Sequence, residues 1–283
     1  MAEEGCSGID AFFIPGGSRR LFCVLHRPPG RLACAGAIVY LHPFAEEMNK
    51  SRRMAAMQAR ALAAAGWLVL QPDLSGCGDS EGDFGDATWA GWSADACQAV
   101  AWLARESGLR PWLWGLRAGG LLAAAVSAQV PNGADLLLWQ PVISGKQHLQ
   151  QFLRVKAAGD MLKDESGPKS ETPRALLSRG ESVEVAGYCI APGLASGMDA
   201  ASMQLPDTPA TGFAGKAVWL EVSSAAQPSL SMPAGQASEK WRAAGWRVIT
   251  QVVPGPAFWQ TLEIEEAPAL IDASLGLIAG RAA

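Results

Sequence analysis

The chain has 283 residues, of which 49% are hydrophobic, so it can bury a sizeable core and is not a disordered chain. Its formal net charge is −4 and its lysines and arginines form no basic block, which argues against a nucleic-acid partner or an anionic membrane surface. The most apolar stretch, residues 121–128, is far shorter than the about 20 residues that a membrane span requires.

The N-terminus and the cysteines indicate where the protein resides. The first residues, MAEEGCSG, are acidic and polar and do not resemble a secretory signal peptide. The cysteines form no C-x-x-C pair and have no regular spacing. We therefore expect a cytoplasmic protein with reduced thiols. The six cysteines are Cys6, Cys23, Cys34, Cys77, Cys97 and Cys189.

Strand and helix patterns alternate along the first half of the chain. Two extended runs, 10–14 and 20–26, are separated by Pro-Gly-Gly, which predicts an antiparallel hairpin. Continuous apolar runs, typical of buried parallel strands, then alternate with helical segments and predict a mostly parallel sheet flanked by helices. The predicted strands are 37–41, 67–71, 111–114 and 135–139, and the predicted helices are 51–65, 91–106 and 118–129.

The second half of the chain begins with a polar, mixed segment. Residues 145–185 contain the charged stretch KDESGPKSETPR, and we interpret them as a small cap insertion above the sheet. Regular patterns then resume. We expect one domain over 1–283, with a core of about 10–144 and 186–280. The later predicted elements are a strand at 216–222, a helix at 236–244, a strand at 246–253 and a helix from about 260.

Residues 112–120, WLWGLRAGG, have the layout of a nucleophile elbow, Gly-x-Ser-x-Gly, where a strand turns sharply into a helix. Gly115 and Gly119 occupy the glycine positions, which avoid clashes with the neighbouring strand and helix. The central residue is Arg117, which cannot attack a carbonyl. Together with the strand order, this frame predicts the α/β-hydrolase fold. The alternative is an ordinary glycine-rich loop between strand and helix.

A second stretch matches the elbow motif literally. Residues 78–82 read Gly-Asp-Ser-Glu-Gly with Ser80 at the centre, but no strand directly precedes them and no helix directly follows. We therefore favour a structural role, in which this loop shapes the fold and the pocket wall. Cys77, between two glycines, is a weaker candidate for a reactive thiol because no histidine is adjacent in sequence.

The turn His42-Pro43-Phe44 follows the predicted strand 37–41. In α/β-hydrolases, backbone N–H groups at this turn and directly after the elbow form the oxyanion hole. The corresponding donors here are the N–H groups of Phe44 and Ala118. We expect His42 to brace the loop rather than act as a base.

The partners of a Ser-His-Asp triad are absent from the sequence. No histidine follows His148, and the stretch VVPGPAFWQ carries Ala257 in the expected histidine position, with Trp259 two residues later. The expected acid position has no Asp or Glu between Glu221 and Glu239. A serine without a base is not activated, so the sequence excludes a Ser-His-Asp mechanism on the usual topology.

Two roles are open for Arg117. A guanidinium at a helix N-terminus, beside two N–H groups, is suited to bind a carboxylate, phosphate or sulfate-like group. It could instead pair with a carboxylate of the chain, and a ligand could then displace that partner. The candidate partners are Glu46, Glu47, Asp73 and Asp79. No metal-ligand cluster or nucleotide-binding motif follows a predicted strand, so we expect no cofactor and no metal.

Several stretches together resemble the exosortase A system-associated hydrolase 2 group of the α/β-hydrolase superfamily. They are LHPFAEEMNKSRRM, QPDLSGCGDSEGDF, WGLRAGGLLA and PGPAFWQTLEIEEAPALI. The resemblance covers most of residues 10–280. It implies a bacterial cytoplasmic protein encoded near a second α/β-hydrolase, in the setting of exopolysaccharide biosynthesis and PEP-CTERM protein sorting.

Three functions are consistent with these residues. The first is a non-standard hydrolase or acyl-transfer protein that uses Arg117, the Phe44 and Ala118 donors, and a carboxylate base from Glu46, Glu47 or Asp73. The second is a catalytically degenerate module that binds an anionic acyl or sugar-derived ligand. The third is a non-catalytic partner of the neighbouring hydrolase. The sequence leaves the oligomeric state open.

Overall fold

The computed structural model describes residues 8–15, 19–30, 34–163, 171–204 and 215–278, without the side chains of 155–163. Strands and helices alternate along the chain. The strands are β1 (Ile9–Pro15), β2 (Arg20–His26), β3 (Gly36–Leu41), β4 (Trp67–Pro72), β5 (Trp112–Leu116), β6 (Leu136–Trp139), β7 (Val183–Val185), β8 (Tyr188–Ile190), β9 (Lys216–Ser223) and β10 (Arg247–Pro254). The helices are α1 (Glu46–Ala64), α2 (Trp89–Ser107), α3 (Ala118–Ser127), α4 (Gly145–Lys163), α5 (Pro173–Ser178), α6 (Pro192–Ala200), α7 (Met232–Ala243) and α8 (Pro268–Ile278).

The central sheet has eight strands in the order β1-β2-β4-β3-β5-β6-β9-β10. β1 pairs antiparallel with β2, and β2 pairs antiparallel with β4, whereas the remaining neighbours are parallel. This confirms the predicted N-terminal hairpin and the mostly parallel sheet. The glycines of the hairpin's Pro-Gly-Gly, residues 16 and 17, lie outside the described residues.

Helices cover both faces of the sheet. On β3, Ile38 and Tyr40 belong to the hydrophobic cluster beneath α1 and α8, whereas Val39 and Leu41 belong to the cluster beneath α2, α3 and α7. Successive side chains of a strand point to opposite faces, so a parallel strand covered on both sides must be apolar throughout. This explains the continuous apolar runs of the sequence.

Between β6 and β9 the chain leaves the sheet. The described residues of this segment form α4, α5, the β7–β8 hairpin and α6, and α4 packs against α5, α6 and β7. The charged stretch at 164–170 lies outside the described residues. No helix in the described part of the chain is long and apolar enough to cross a membrane.

Several helix boundaries differ from those predicted, and two of the helix starts differ by five residues or more. α1 begins at Glu46 rather than at residue 51, and the carboxylates of Glu46 and Glu47 in its first turn are favourable to the helix dipole. The last helix begins at Pro268 rather than near residue 260. A proline is well suited to the first position of a helix and disfavours the helical conformation in the residue before it.

Candidate functional site

The turn between β5 and α3 has the backbone geometry of an elbow. Arg117 has φ 54° and ψ −118°, a conformation that side-chain-bearing residues rarely adopt. Hydrogen bonds hold its backbone in this state: its N–H donates to Trp139 O at 3.0 Å, and its carbonyl accepts from Gly120 N at 3.0 Å and Val142 N at 3.1 Å. The central residue is therefore fixed at the strand-to-helix turn.

The two glycines of the elbow are required by close backbone packing. A Cβ on Gly115 would lie 2.4 Å from the carbonyl oxygen of Gly119. A Cβ on Gly119 would lie 2.1 Å from the carbonyl oxygen of Leu41, at the end of β3. Neither contact is possible for a real side chain, so the helix can approach the strands this closely only with glycine.

Arg117 pairs with Glu47 at the first turn of α1. Its Nε and Nη2 donate to the same oxygen, Oε1, at 3.2 and 3.1 Å. The side chains are 18% and 19% exposed, so the pair is largely removed from water. Of the four candidate carboxylates, Glu47 is therefore the partner. Glu46 faces outward, 55% exposed, and lies 3.5 Å from Lys50.

A cavity of about 290 Å³ lies over this pair. Its wall combines aromatic rings with charged and amide groups. In the part of the chain that the structure describes, the lining contains no serine, cysteine or aspartate. The polar lining residues are Glu46, Glu47, Lys50, Arg117, His148, Gln151 and Gln260, and the apolar ones are Phe44, Phe152, Ala186 and Trp259.

Trp259 covers Arg117 from the loop after β10. The guanidinium carbon lies 5.1 Å from the centre of the Trp259 ring, within the range of a cation–π interaction. Ala257 occupies the predicted histidine position two residues earlier but is not part of the cavity wall. The region where a triad histidine is expected therefore supplies an aromatic cover for the arginine.

His148, on α4, completes the site and was not among the predicted site residues. Its Nε2 lies 3.8 Å from Glu47 Oε2, and neither atom has a hydrogen-bond partner among the described residues. Burial, with the nearby positive charge of Arg117, lowers the pKa of His148 to about 3, so the ring is neutral. Burial raises the pKa of Glu47, and Arg117 opposes that shift.

A signal for this part of α4 was available in the sequence. His148, Leu149, Phe152 and Leu153 recur at the spacing of one helix face, and all four side chains are buried or partly buried. The polar residues between them make this helix face hard to recognise in the sequence. The spacing predicts a helix face, but it does not predict that the face lies over the elbow.

Only one of the two predicted oxyanion donors belongs to the described cavity lining. Phe44 lines the cavity, whereas Ala118 is the first residue of α3, directly after Arg117, and is not part of the described lining. Among the described residues, no hydrogen bond uses the N–H of either Phe44 or Ala118.

His42 braces the loop instead of facing the cavity. Leu74 N donates to His42 Nε2 at 3.3 Å, so the proton is on Nδ1, which donates to Pro43 O at 2.9 Å. Burial lowers the pKa of His42, and the ring is neutral. With both nitrogens occupied, His42 joins the loops after β3 and β4.

Ser80 and Asp73 lie away from the elbow cavity and hold the loop after β4. The Ser80 hydroxyl donates to Asp73 O at 2.6 Å and accepts from Phe22 N at 2.8 Å. Asp73 Oδ2 accepts from Asp79 N at 3.0 Å, and Oδ1 lies 3.7 Å from Arg52. These contacts agree with the structural role that we favoured for this loop.

The remaining candidate groups are also in structural roles. Cys77 is buried, and burial, with Asp73 nearby, raises its pKa to about 12, so its thiol stays protonated. Glu221, on β9, accepts from the N–H and the hydroxyl of Ser231, both at 2.8 Å, and so holds the start of α7. The described residues contain no group of three or more His, Cys, Asp or Glu side chains arranged to hold a metal ion.

Comparisons with known proteins concern mainly the fold. The family model of the X-Pro dipeptidyl-peptidase S15 family matches residues 17–151, slightly under half of the chain, including the elbow. No curated protein gives a significant sequence match.

Many solved structures are similar to the chain. Est1E from Butyrivibrio proteoclasticus, with bound ferulic acid, has a TM-score of 0.66 and 16% identity over 96% of this chain and 99% of that one. EstE1, a thermostable carboxylesterase from a metagenomic library, has a TM-score of 0.60 and 16% identity over 100% of this chain and 92% of that one. At 16% identity these matches concern the fold, and they show that the chain has the α/β-hydrolase fold.

Proposed function

We propose that the protein binds a small organic carboxylate at the elbow cavity and that it does so without Ser-His-Asp catalysis. The observation that carries this proposal is the Arg117–Glu47 pair: the residue at the elbow already holds a carboxylate through two N–H groups, at 3.1 and 3.2 Å. A ligand carboxylate would replace Glu47 on this guanidinium. Arginine is well suited to this role because its donors match the planar shape of a carboxylate.

The surroundings of Arg117 support a ligand with an apolar body. Phe44, Phe152 and Trp259 form the apolar wall of the cavity, and Phe44 packs edge-on to Phe152 with ring centres 5.1 Å apart. The N–H groups of Phe44 and Ala118, which have no acceptor among the described residues, add donors that favour an anion. A cavity of about 290 Å³ is at the lower end of the usual size for small-molecule sites. An aromatic or short acyl carboxylate fits these properties.

The experiment is isothermal titration with benzoate, and benzamide is the neutral control of the same shape. We expect wild type to bind benzoate and to bind benzamide weakly. Arg117→Met keeps the aliphatic stem and removes the donors, so benzoate affinity should fall at least about tenfold. Arg52→Met, which removes an arginine of α1 outside the cavity, should leave the affinity unchanged. Wild type that binds no benzoate, or Arg117→Met that binds it as wild type does, contradicts the proposal.

Ferulate is a useful second probe. Ferulic acid is bound in the structure of Est1E, and it is an aromatic carboxylic acid like benzoate. The similarity between the two chains concerns the fold, so the probe is chosen for its chemistry. Methyl ferulate, which lacks the negative charge, is the matched control.

A second candidate is ester or thioester hydrolysis with Glu47 as the base. Its Oε2 has no hydrogen-bond partner in the described part of the chain, and burial raises the pKa of Glu47, which makes its carboxylate a stronger base towards a water molecule. The N–H groups of Phe44 and Ala118 would then stabilise the oxyanion. Turnover of p-nitrophenyl acetate that is lost in Glu47→Gln and kept in Ser80→Ala would support this candidate. Wild type without turnover of esters or thioesters contradicts it.

The cellular setting comes from the sequence resemblance alone. We propose on that basis that the protein is cytoplasmic, that it belongs to the exopolysaccharide and PEP-CTERM systems, and that it binds a neighbouring α/β-hydrolase. Co-purification with the neighbouring hydrolase, and loss of that enzyme's activity when this chain is removed, would support a role as its non-catalytic partner. A neighbouring hydrolase that is fully active and stable alone contradicts it.

A further inference from the structure

Glu47 and His148, in the wall of the elbow cavity, each present a polar atom that has no hydrogen-bond partner among the described residues. Glu47 Oε2 and His148 Nε2 are 3.8 Å apart, too far for a hydrogen bond, and both atoms are shielded from solvent. Buried polar atoms in native structures normally have partners, and each exception requires an explanation. A small rotation of either side chain would bring these two atoms into hydrogen-bond distance.

The charges around the cavity are balanced before a ligand binds. Arg117 is paired with Glu47, and Lys50 lies 3.5 Å from Glu46. His148, the only other titratable group in the described lining, is neutral. A carboxylate that enters this cavity therefore adds one uncompensated negative charge. An unpaired charge in a partly buried site is costly, and such sites change protonation instead.

We propose that a carboxylate bound to Arg117 displaces Glu47 towards His148, and that the Glu47–His148 pair then takes up one proton from solvent. The inference rests on the proposed function, because it needs a carboxylate on Arg117. The proton is shared in one hydrogen bond between Oε2 and Nε2, so the pair carries no net charge. Arg117 and the ligand then form a second neutral pair. His148 is thus a positioning residue that receives the displaced side chain.

The electrostatics of the free site favour this transfer. Arg117 opposes protonation of both partners: it lowers the pKa of His148 and counteracts the rise in the pKa of Glu47. A bound carboxylate neutralises Arg117 and removes both effects. The other titratable groups in or near the cavity wall do not compete. Glu46 and Lys50 face each other on α1, and Tyr188, which packs against Phe152 behind the wall, accepts from Asn49 Nδ2 at 3.1 Å.

The test is benzoate titration of the wild-type protein at pH 7 in phosphate and in Tris, which have different ionisation enthalpies. The difference in heat between the buffers gives the number of protons taken up, and we expect about one per benzoate. The dissociation constant should then rise by up to about tenfold for each pH unit between about pH 6 and 8, because binding is linked to one proton. This measurement needs no variant and so does not depend on the folding of one.

Two variants, with a third as the control, show which groups take up the proton. Glu47→Gln keeps the shape of the side chain but cannot ionise, so benzoate should bind with no proton uptake and no pH dependence. Glu46→Gln changes the neighbouring carboxylate of the same turn and should keep the wild-type proton number. His148→Phe keeps a ring and removes Nε2, which leaves a displaced Glu47 without its partner. Benzoate affinity at pH 7 should then fall about tenfold.

Each outcome bears on a different statement. Benzoate that binds wild type without proton uptake overturns the inference and leaves the proposed function intact. Proton uptake that persists in Glu47→Gln, or unchanged affinity in His148→Phe, also overturns it. Wild type that binds no benzoate overturns both the proposed function and the inference.

Discussion

The stretches around Ser80 and Arg117 share one glycine spacing, with a glycine two residues before and two residues after the central residue: Gly78 and Gly82 around Ser80, and Gly115 and Gly119 around Arg117. At Ser80 the hydroxyl is used by two backbone groups, at 2.6 and 2.8 Å, within a loop. At Arg117 backbone bonds fix the turn, and the side chain reaches into a cavity. The stretch with the literal motif is therefore structural, and the stretch that lacks the serine carries the candidate site.

The difference lies in what surrounds each glycine pair. Gly115 and Gly119 let a strand and a helix meet within contact distance of β3, so the central residue is raised at the end of the strand. Gly78 and Gly82 instead have φ of 54° and 96°, and they let the loop fold back on Asp73 and Arg19. The same spacing thus serves close packing in one place and a left-handed backbone in the other.

Gly119→Ala breaks the elbow and should have the largest effect. Its Cβ would meet the backbone of Leu41, which cannot move without shifting β3, so we expect a loss of about 3 kcal/mol or more in the free energy of unfolding. Urea denaturation measures this loss. Gly235→Ala is the control, because nothing lies within 4 Å of that site in α7, and it should be neutral or stabilising. A Gly119→Ala protein as stable as wild type contradicts the close packing.

Ser80→Ala tests whether the stretch with the literal motif is structural. It leaves the partly buried Phe22 N–H without its acceptor, so stability should fall by about 2 kcal/mol, within the range for groups left without a hydrogen-bond partner. Benzoate affinity should not change, because Ser80 is outside the cavity. The control is Ser178→Ala, an exposed serine of α5. If Ser80→Ala loses benzoate binding, or any esterase activity, without losing stability, the functional site is at Ser80 and not at Arg117.

The smallest expected effect concerns His148 and acid pH. Its folded-state pKa of about 3 lies below the unfolded value near 6.5, so its contribution to stability is complete above pH 6.5 and is lost as pH falls. Between pH 7 and 5.5 this loss is about 1 kcal/mol for wild type, and His148→Phe removes it. Urea denaturation at both pH values measures the difference. Equal pH dependence in the two proteins would contradict a buried, neutral His148.

The elbow was predictable because its signals are local. Glycines 115 and 119, an apolar strand before them and a helix after them all lie within a short stretch of sequence. The partner of Arg117 was not predictable among four carboxylates, because the choice depends on where α1 begins. With the start at Glu46, Glu47 turns towards the elbow and Glu46 towards Lys50. The position of His148 depends on how α4 packs over the elbow, which no local pattern specifies.

The most direct test of the central claim is a structure of the protein with benzoate. The claim is that Arg117 is a carboxylate receptor whose resident partner is Glu47. We predict the benzoate carboxylate on the Arg117 guanidinium, its ring against Trp259 and Phe44, and the Glu47 side chain turned to His148. An Arg117–Glu47 pair that stays intact at saturating benzoate, with benzoate absent from the cavity, would contradict the claim.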